Sequence, residues 1–211
     1  MRAFPGARAG LLPGGGAGGG GERAARGGAA EHARGDAVAV RALILGGARS
    51  GKSALAEERA LSLGGGNVLY VATAIARPDD PDLSRRIEAH RERRHYRWGL
   101  LELGGGSLDP ALEAADGWSV MLFDSLTLWV SARMRDEDES RILDEFERFV
   151  GRASMQPEPV ILVSDEVGLG VVPESAEGRR FRDLLGLVNQ RAAAAAEEVH
   201  LCVAGIAQRI K

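Results

Sequence analysis

The string GGARSGKS sets Gly46, Gly47, Ala48, Arg49, Ser50, Gly51, Lys52 and Ser53 in the pattern G-x-x-x-x-G-K-S/T, the P-loop pattern. Its chemistry follows from the residue types. Glycines let the backbone curl so that successive N–H groups face phosphate oxygens, and a helix opening behind them aims its positive dipole end at the same anion. Lys52 brings a mobile cation to the terminal phosphates, and Ser53 a hydroxyl ligand for Mg²⁺. Of the 27 basic residues only Lys52 and Lys211 are lysines, so a lysine at this position is conspicuous. The chain is expected to bind a nucleoside triphosphate and to transfer a phosphoryl or nucleotidyl group.

Such a loop needs a carboxylate at the end of a neighbouring apolar strand, and the run VMLFD ends in Asp124. Asp124 and Ser53 are the expected metal-side residues; the other reading of Asp124 is a cap for a helix starting near Leu126. Leu83, Ile87, His90 and Arg94 recur at helical spacing, with Arg86, Arg91 and Arg93 close by. Two readings stay open. Either the arginines grip a triphosphate while a neutral His90 attacks the α-phosphorus, or a packed histidine sits on a solvated charged face. His32, His95 and His200 have no comparable setting. Glu166, after another apolar run, either orients an attacking hydroxyl or belongs to a turn in which Gly168 and Gly170 supply positive φ.

The elements that must position these groups are short apolar runs alternating with helical stretches, which predicts an α/β fold. Strands are expected at 42–45, 68–72, 119–123, 160–164 and 199–203, with 98–103 as a further candidate. Helices are expected at 52–63, 82–94, 140–151 and 178–198. The predicted architecture is P-loop NTPase-like, a mostly parallel sheet flanked by helices.

Composition agrees with a single soluble globular domain. The chain has 211 residues, 45% hydrophobic and 27% charged, and a net charge of −3, which gives no general attraction to nucleic acid or membranes. Cys202 is the single cysteine, so no intrachain disulfide forms, and a reducing cytoplasm fits. No apolar run approaches the ~20 residues of a membrane span. Residues 1–38 are rich in Gly, Ala and Arg and are expected to be a disordered extension to a domain at 39–211. The segment has no secretory h-region; it weakly resembles a transit peptide, and an over-extended start codon is a third reading.

Taken together, GGARSGKS, YVATA at 70–74, RIEAHRERR at 86–94 and EVGLGVVPES at 166–175 resemble one family, and FRDLLGLVNQRAAAAAEEV at 181–199 with Gly205-Ile206 extends the match. That family is the bifunctional adenosylcobinamide kinase/adenosylcobinamide-phosphate guanylyltransferase of cobalamin biosynthesis. The resemblance implies two reactions: ATP or GTP phosphorylates adenosylcobinamide, and GTP then gives GMP to that phosphate, yielding adenosyl-GDP-cobinamide. It also implies a covalent guanylyl-histidine at His90, with Lys52 catalytic beside it. Implied nucleotide contacts are the P-loop, Ala72, Thr73, Ala74, Arg91, Glu92, Arg93, Arg94, Glu102 and Asp124. Mg²⁺ and a homo-oligomer, a trimer by family analogy, are implied as well. The chain departs from the family pattern at His95, Leu100 and Asp165. The alternatives are a monofunctional P-loop small-molecule kinase or nucleotidyltransferase, and a non-catalytic nucleotide switch.

Overall fold

A computed structural model describes residues 40–74, 84–85, 87–88 and 97–211. The expected N-terminal extension, His90, Arg91, Glu92, Arg93 and Arg94 lie outside the described residues. The order of elements is β1 (Val40–Gly46), α1 (Lys52–Gly64), β2 (Val68–Ala72), β3 (Gly99–Glu102), α2 (Asp109–Glu113), β4 (Val120–Asp124), α3 (Leu126–Arg133), α4 (Glu139–Ala153), β5 (Val160–Asp165), α5 (Ala176–Ala195), β6 (Ala196–Val203) and β7 (Ile206–Arg209). Ser84, Arg85, Ile87 and Glu88 are also helical.

The strands form one seven-stranded sheet in the order β3-β2-β4-β5-β1-β6-β7, parallel throughout except for the antiparallel β6–β7 pair. The expected α/β, mostly parallel architecture is the one observed. Both faces are covered, which is why the strands read as unbroken apolar runs. Along β4, Val120 and Leu122 pack on the face of α1, while Met121 and Phe123 pack on the opposite face, all at 0% exposure.

The opposite face carries the larger core. In α4, Ile142, Phe146, Phe149 and Ala153 fall on one stripe and are buried. Phe146 and Phe149 lie 6.2 Å apart, and Phe146 meets Trp129 of α3 at 6.2 Å. Trp129 is fully buried, and its indole N–H donates to the Gly106 carbonyl at 3.1 Å, so no polar cost remains. Full burial of each such side chain contributes about 1.5–3 kcal/mol.

The clearest departures from expectation lie at the C-terminal end of the chain. The helix expected to run to residue 198 ends at Ala195, and Ala196, Glu197 and Glu198 belong to β6, where Ala196 pairs with Val40 and Glu198 with Ala42. Pairing with the central strand overrides the helical propensity of the alanine run. β7 was not expected; a two-residue turn, Ala204 (φ 53°) and Gly205 (φ 81°), folds it back on β6 with the twist that suits a hairpin.

Candidate active site

β1 is a central strand, and its carboxyl end delivers Gly46 to the edge of the sheet where parallel α/β folds bind ligands. A Cβ at Gly46 would stand 2.4 Å from Ser50 Oγ and 2.6 Å from the Cys202 carbonyl, so only glycine fits. Gly51 has φ 96°, and a Cβ there would meet Gly205 Cα at 3.2 Å. Arg49 takes the left-handed φ of 57° without being glycine. The loop closes through Ser50 N–H donating to the Gly47 carbonyl at 3.3 Å, and α1 starts with Leu55 N–H on the Gly51 carbonyl at 3.1 Å. Gly51, at the N-cap of α1, offers no side-chain cap, which leaves first-turn amides for an anion. The Ser50 hydroxyl is buried with no hydrogen-bond partner among the described residues.

Lys52 is folded over this loop. Its ammonium lies 2.6 Å from Asp165 Oδ1 and donates to the Gly47 carbonyl at 3.2 Å. Asp165 ends β5, opposite Gly46 in the register, and is fixed from behind: its N–H donates to Thr127 Oγ1 at 2.7 Å and its carbonyl accepts from Asn189 Nδ2 at 3.0 Å. Sequence reasoning missed Asp165 as the lysine's partner. The available signal was its position at the end of an apolar run, the same signal that singled out Asp124.

Asp124 ends β4 one strand further out, opposite Ala72 of β2, and Tyr70 Oη donates to its Oδ2 at 2.9 Å. It does not cap the next helix, because Ser125 holds the N-cap of α3 and its hydroxyl accepts from Leu128 N–H. Thr73 is 1% exposed and clamps the two strand ends, donating to the Ser125 carbonyl at 2.7 Å and accepting from Ser125 N–H at 2.8 Å. Glu102 stands opposite Ala72 at the end of β3, and Ala74 follows the Thr73 clamp. One edge of the sheet therefore gathers the P-loop, Asp165, Asp124, Ala72, Thr73 and Glu102. Ser53 lies in the first turn of α1 behind Lys52.

Glu166 uses its carboxylate locally, accepting from Gly168 N–H, while its own N–H donates to the Gly46 carbonyl at 3.3 Å. Neither Gly168 nor Gly170 has positive φ, which removes the basis of the glycine-dependent turn reading; a Cβ at Gly168 would meet only the movable end of the Glu166 side chain. His200 also departs from expectation. It is buried beside Glu198 Oε2 at 3.0 Å and Arg59 at 3.2 Å, on the α1 side of β6. The His200 hydrogen bond, aided by the charges of Arg59, Arg209 and Arg41, holds the Glu198 carboxyl below its ordinary value of 4.5 against the opposing effect of burial. Cys202, next along β6, has its thiol pushed up by burial, with Lys52 pulling the other way.

A cavity of about 280 Å³ opens between α3 and the first turn of α5, lined by Ser131, Met134, Ser175, Glu177, Gly178 and Phe181. None of the P-loop residues lines it, and the open sheet edge is the better site for a triphosphate. Among the described residues no cluster of three or more His, Cys, Asp or Glu forms a metal cage. A Mg²⁺ held jointly by phosphates, waters and one or two protein oxygens needs no such cage, and the oxygens of Ser53 and Asp124 are of the hard type it takes.

The sequence pattern of the cobinamide kinase/cobinamide phosphate guanyltransferase family matches residues 42–210. The bifunctional adenosylcobalamin biosynthesis protein CobP of Pseudomonas aeruginosa is 40% identical over 172 residues, covering 82% of this chain and 98% of that one. CobU of Escherichia coli, with the same descriptive name, is 39% identical over 183 residues, covering 80% and 98%. Among solved structures, the flagellar accessory protein FlaH of Methanocaldococcus jannaschii aligns over 84% of this chain and 80% of its own, with 14% identity and a TM-score of 0.45. A likeness that loose carries no argument about function.

Proposed function

The chain belongs to the cobinamide kinase/cobinamide phosphate guanyltransferase family, and from that membership we propose that it phosphorylates adenosylcobinamide with ATP or GTP and then transfers GMP from GTP to the product. The observation that carries the proposal is Lys52 over an uncapped helix start, held by Asp165, whose strand β5 lies next to the β4 strand that ends in Asp124. In the kinase step the loop amides and α1 hold the β- and γ-phosphates. Lys52 exchanges Asp165 for a phosphate oxygen, offsetting charge as the acceptor hydroxyl attacks the γ-phosphorus, gives up its proton to solvent, and the nucleoside diphosphate leaves. Ser53 and Asp124 would hold Mg²⁺, which would supply charge neutralisation on the phosphates.

In the second reaction a His90 ring nitrogen attacks the α-phosphorus of GTP, the bond to pyrophosphate breaks, and Lys52 offsets charge on the leaving group. An oxygen of cobinamide phosphate then attacks the guanylyl phosphorus, the P–N bond breaks, and neutral imidazole is regenerated. Support for this step is the family membership together with a histidine flanked by Arg91, Glu92, Arg93 and Arg94 in the sequence. Ala72, Thr73, Ala74 and Glu102 line the same sheet edge on the β2–β3 side and are the proposed further contacts for GTP.

The catalytic unit is residues 39–211, and its proposed setting is the cytoplasm, as a homo-oligomer of three copies on the family pattern. Among the described residues no helix is long and apolar enough to cross a membrane. Incubation with α-labelled GTP tests the central claim. Wild-type protein is expected to retain an acid-labile label that His90→Ala lacks, and an active wild type that carries no label overturns the guanylyltransferase mechanism. GTP consumption with adenosylcobinamide but without GDP-cobinamide points instead to a monofunctional kinase.

A further inference from the structure

The loop joining β5 to α5 carries three large aliphatic side chains that the mechanism above leaves unused. Leu169 is 83% exposed, Val171 94% and Val172 59%. Single exposed aliphatics are ordinary on any protein, but three within four residues beside a catalytic loop form a patch that calls for a partner.

This backbone is tied down at both ends. At the start, Asp165 is held by Thr127, Asn189 and Lys52, and Glu166 N–H reaches the Gly46 carbonyl. At the far end, the Arg179 guanidinium donates to the carbonyls of Pro173 at 2.9 Å and Glu174 at 2.6 Å, and Ser175 caps α5 by accepting from Gly178 N–H at 3.0 Å. The aliphatic groups are thus presented to solvent by an anchored loop whose root touches the phosphate-handling lysine.

Distance and charge narrow the occupant. Leu169 is four residues from Asp165, so its backbone stands no more than about 14 Å from the lysine's partner. A ligand lying on the patch can therefore bring a side-chain hydroxyl to the terminal phosphate. Residues 165–175 contain Asp165, Glu166 and Glu174 and no basic residue. The cations that touch the segment, Lys52 on Asp165 and Arg179 on the Pro173 and Glu174 carbonyls, are engaged at its two ends, so the stretch between suits a neutral or cationic ligand better than a second anionic nucleotide. The corrinoid acceptor has that chemistry: a broad macrocycle with methyl groups and uncharged amides around a cationic metal centre.

We infer that Leu169, Val171 and Val172 form the platform on which the corrin ring of the acceptor rests while its hydroxyl, and later its phosphate, is aimed at the P-loop. This rests on the activity proposed above. Corrinoid absorbance allows binding to be read by equilibrium dialysis, alongside the KM values for cobinamide and for the triphosphate. The double variant Leu169→Ser/Val171→Ser is expected to raise the Kd and KM for cobinamide by about tenfold or more, a loss of ~1.4 kcal/mol or more. The triphosphate KM, the thermal midpoint and the sedimentation mass should stay unchanged, and Leu169→Met should behave as wild type. An active wild type whose double variant binds cobinamide normally overturns the platform alone. A changed sedimentation mass with cobinamide KM intact assigns the patch to a contact between copies and also overturns it. Wild-type protein that neither binds nor phosphorylates cobinamide overturns the parent activity.

Discussion

The P-loop strand has two parallel neighbours, and each sets a carboxylate among cations with a different result. On one side β5 carries Asp165 to the open end of the sheet, where it meets Lys52 at 2.6 Å. On the other, β6 places Glu198 within its length, enclosed by His200 at 3.0 Å, Arg59 at 3.1 Å, Arg41 at 3.7 Å and Arg209 at 3.8 Å. The first carboxylate faces the open end of the sheet, where the proposed phosphate would enter, whereas the second has its partners supplied by the protein. Position along the strand, more than the presence of charge, separates the chemical flank from the structural one.

The strongest way to break this comparison is at its pivot. Lys52→Ala is expected to lower kcat/KM for triphosphate use by roughly 10²–10³ in both transfers, the scale for removing a preorganised charge from a transition state. Steady-state kinetics with unchanged far-UV circular dichroism would check it, and near-normal turnover would remove the lysine from the mechanism.

A paired experiment sharpens the two flanks. Asp165→Asn should lower kcat/KM about tenfold with little change in unfolding midpoint, because the amide keeps the shape but loses the charge that aims Lys52. Glu198→Gln should do the reverse, leaving KM for the triphosphate alone and costing about 1.5–3 kcal/mol of stability, as expected for charge-assisted hydrogen bonds. The pH dependence has a definite sign. A carboxyl held below its ordinary 4.5 contributes stability that is present above that value and is lost as pH falls through the lower, folded-state value. In urea titrations the gap between wild type and Glu198→Gln should therefore be full at pH 6–7 and close with acidification below the ordinary value of 4.5.

The smallest expected effect probes the brace between the flanks. Gly205 N–H donates to the Ser50 carbonyl at 2.9 Å, and its Cα blocks the space beside Gly51. Gly205→Ala strains a residue at φ 81° by about 1 kcal/mol and is expected to raise the triphosphate KM a few-fold with kcat retained. An unchanged KM would confine the turn to a purely architectural role.

What could be read from the sequence follows the range of each interaction. The P-loop was legible because eight contiguous residues carry their own backbone logic, and Asp124 because it closes an apolar run within one strand. The Lys52–Asp165 pair was not, since it joins residues on different strands that only the order β5-β1 brings together. The setting of His200 was hidden likewise, because Arg59 lies 141 residues away in the chain. β7 escaped because its four residues are all exposed and leave no apolar run to read, and Ala-Gly is a weaker hairpin turn than Asn-Gly. At the end of α5 the alanines favoured continued helix, and only the pairing of Ala196 with Val40 decides for strand.

The pairing of β1 with β6 also sets a timetable. Arg41 and Glu197, which bond across it, are 156 residues apart, so the nucleotide loop emerges from the ribosome long before the strand and turn that brace it. The brace beside the P-loop, residue 205 docked on Ser50, is therefore among the last contacts of the sheet to be completed during synthesis.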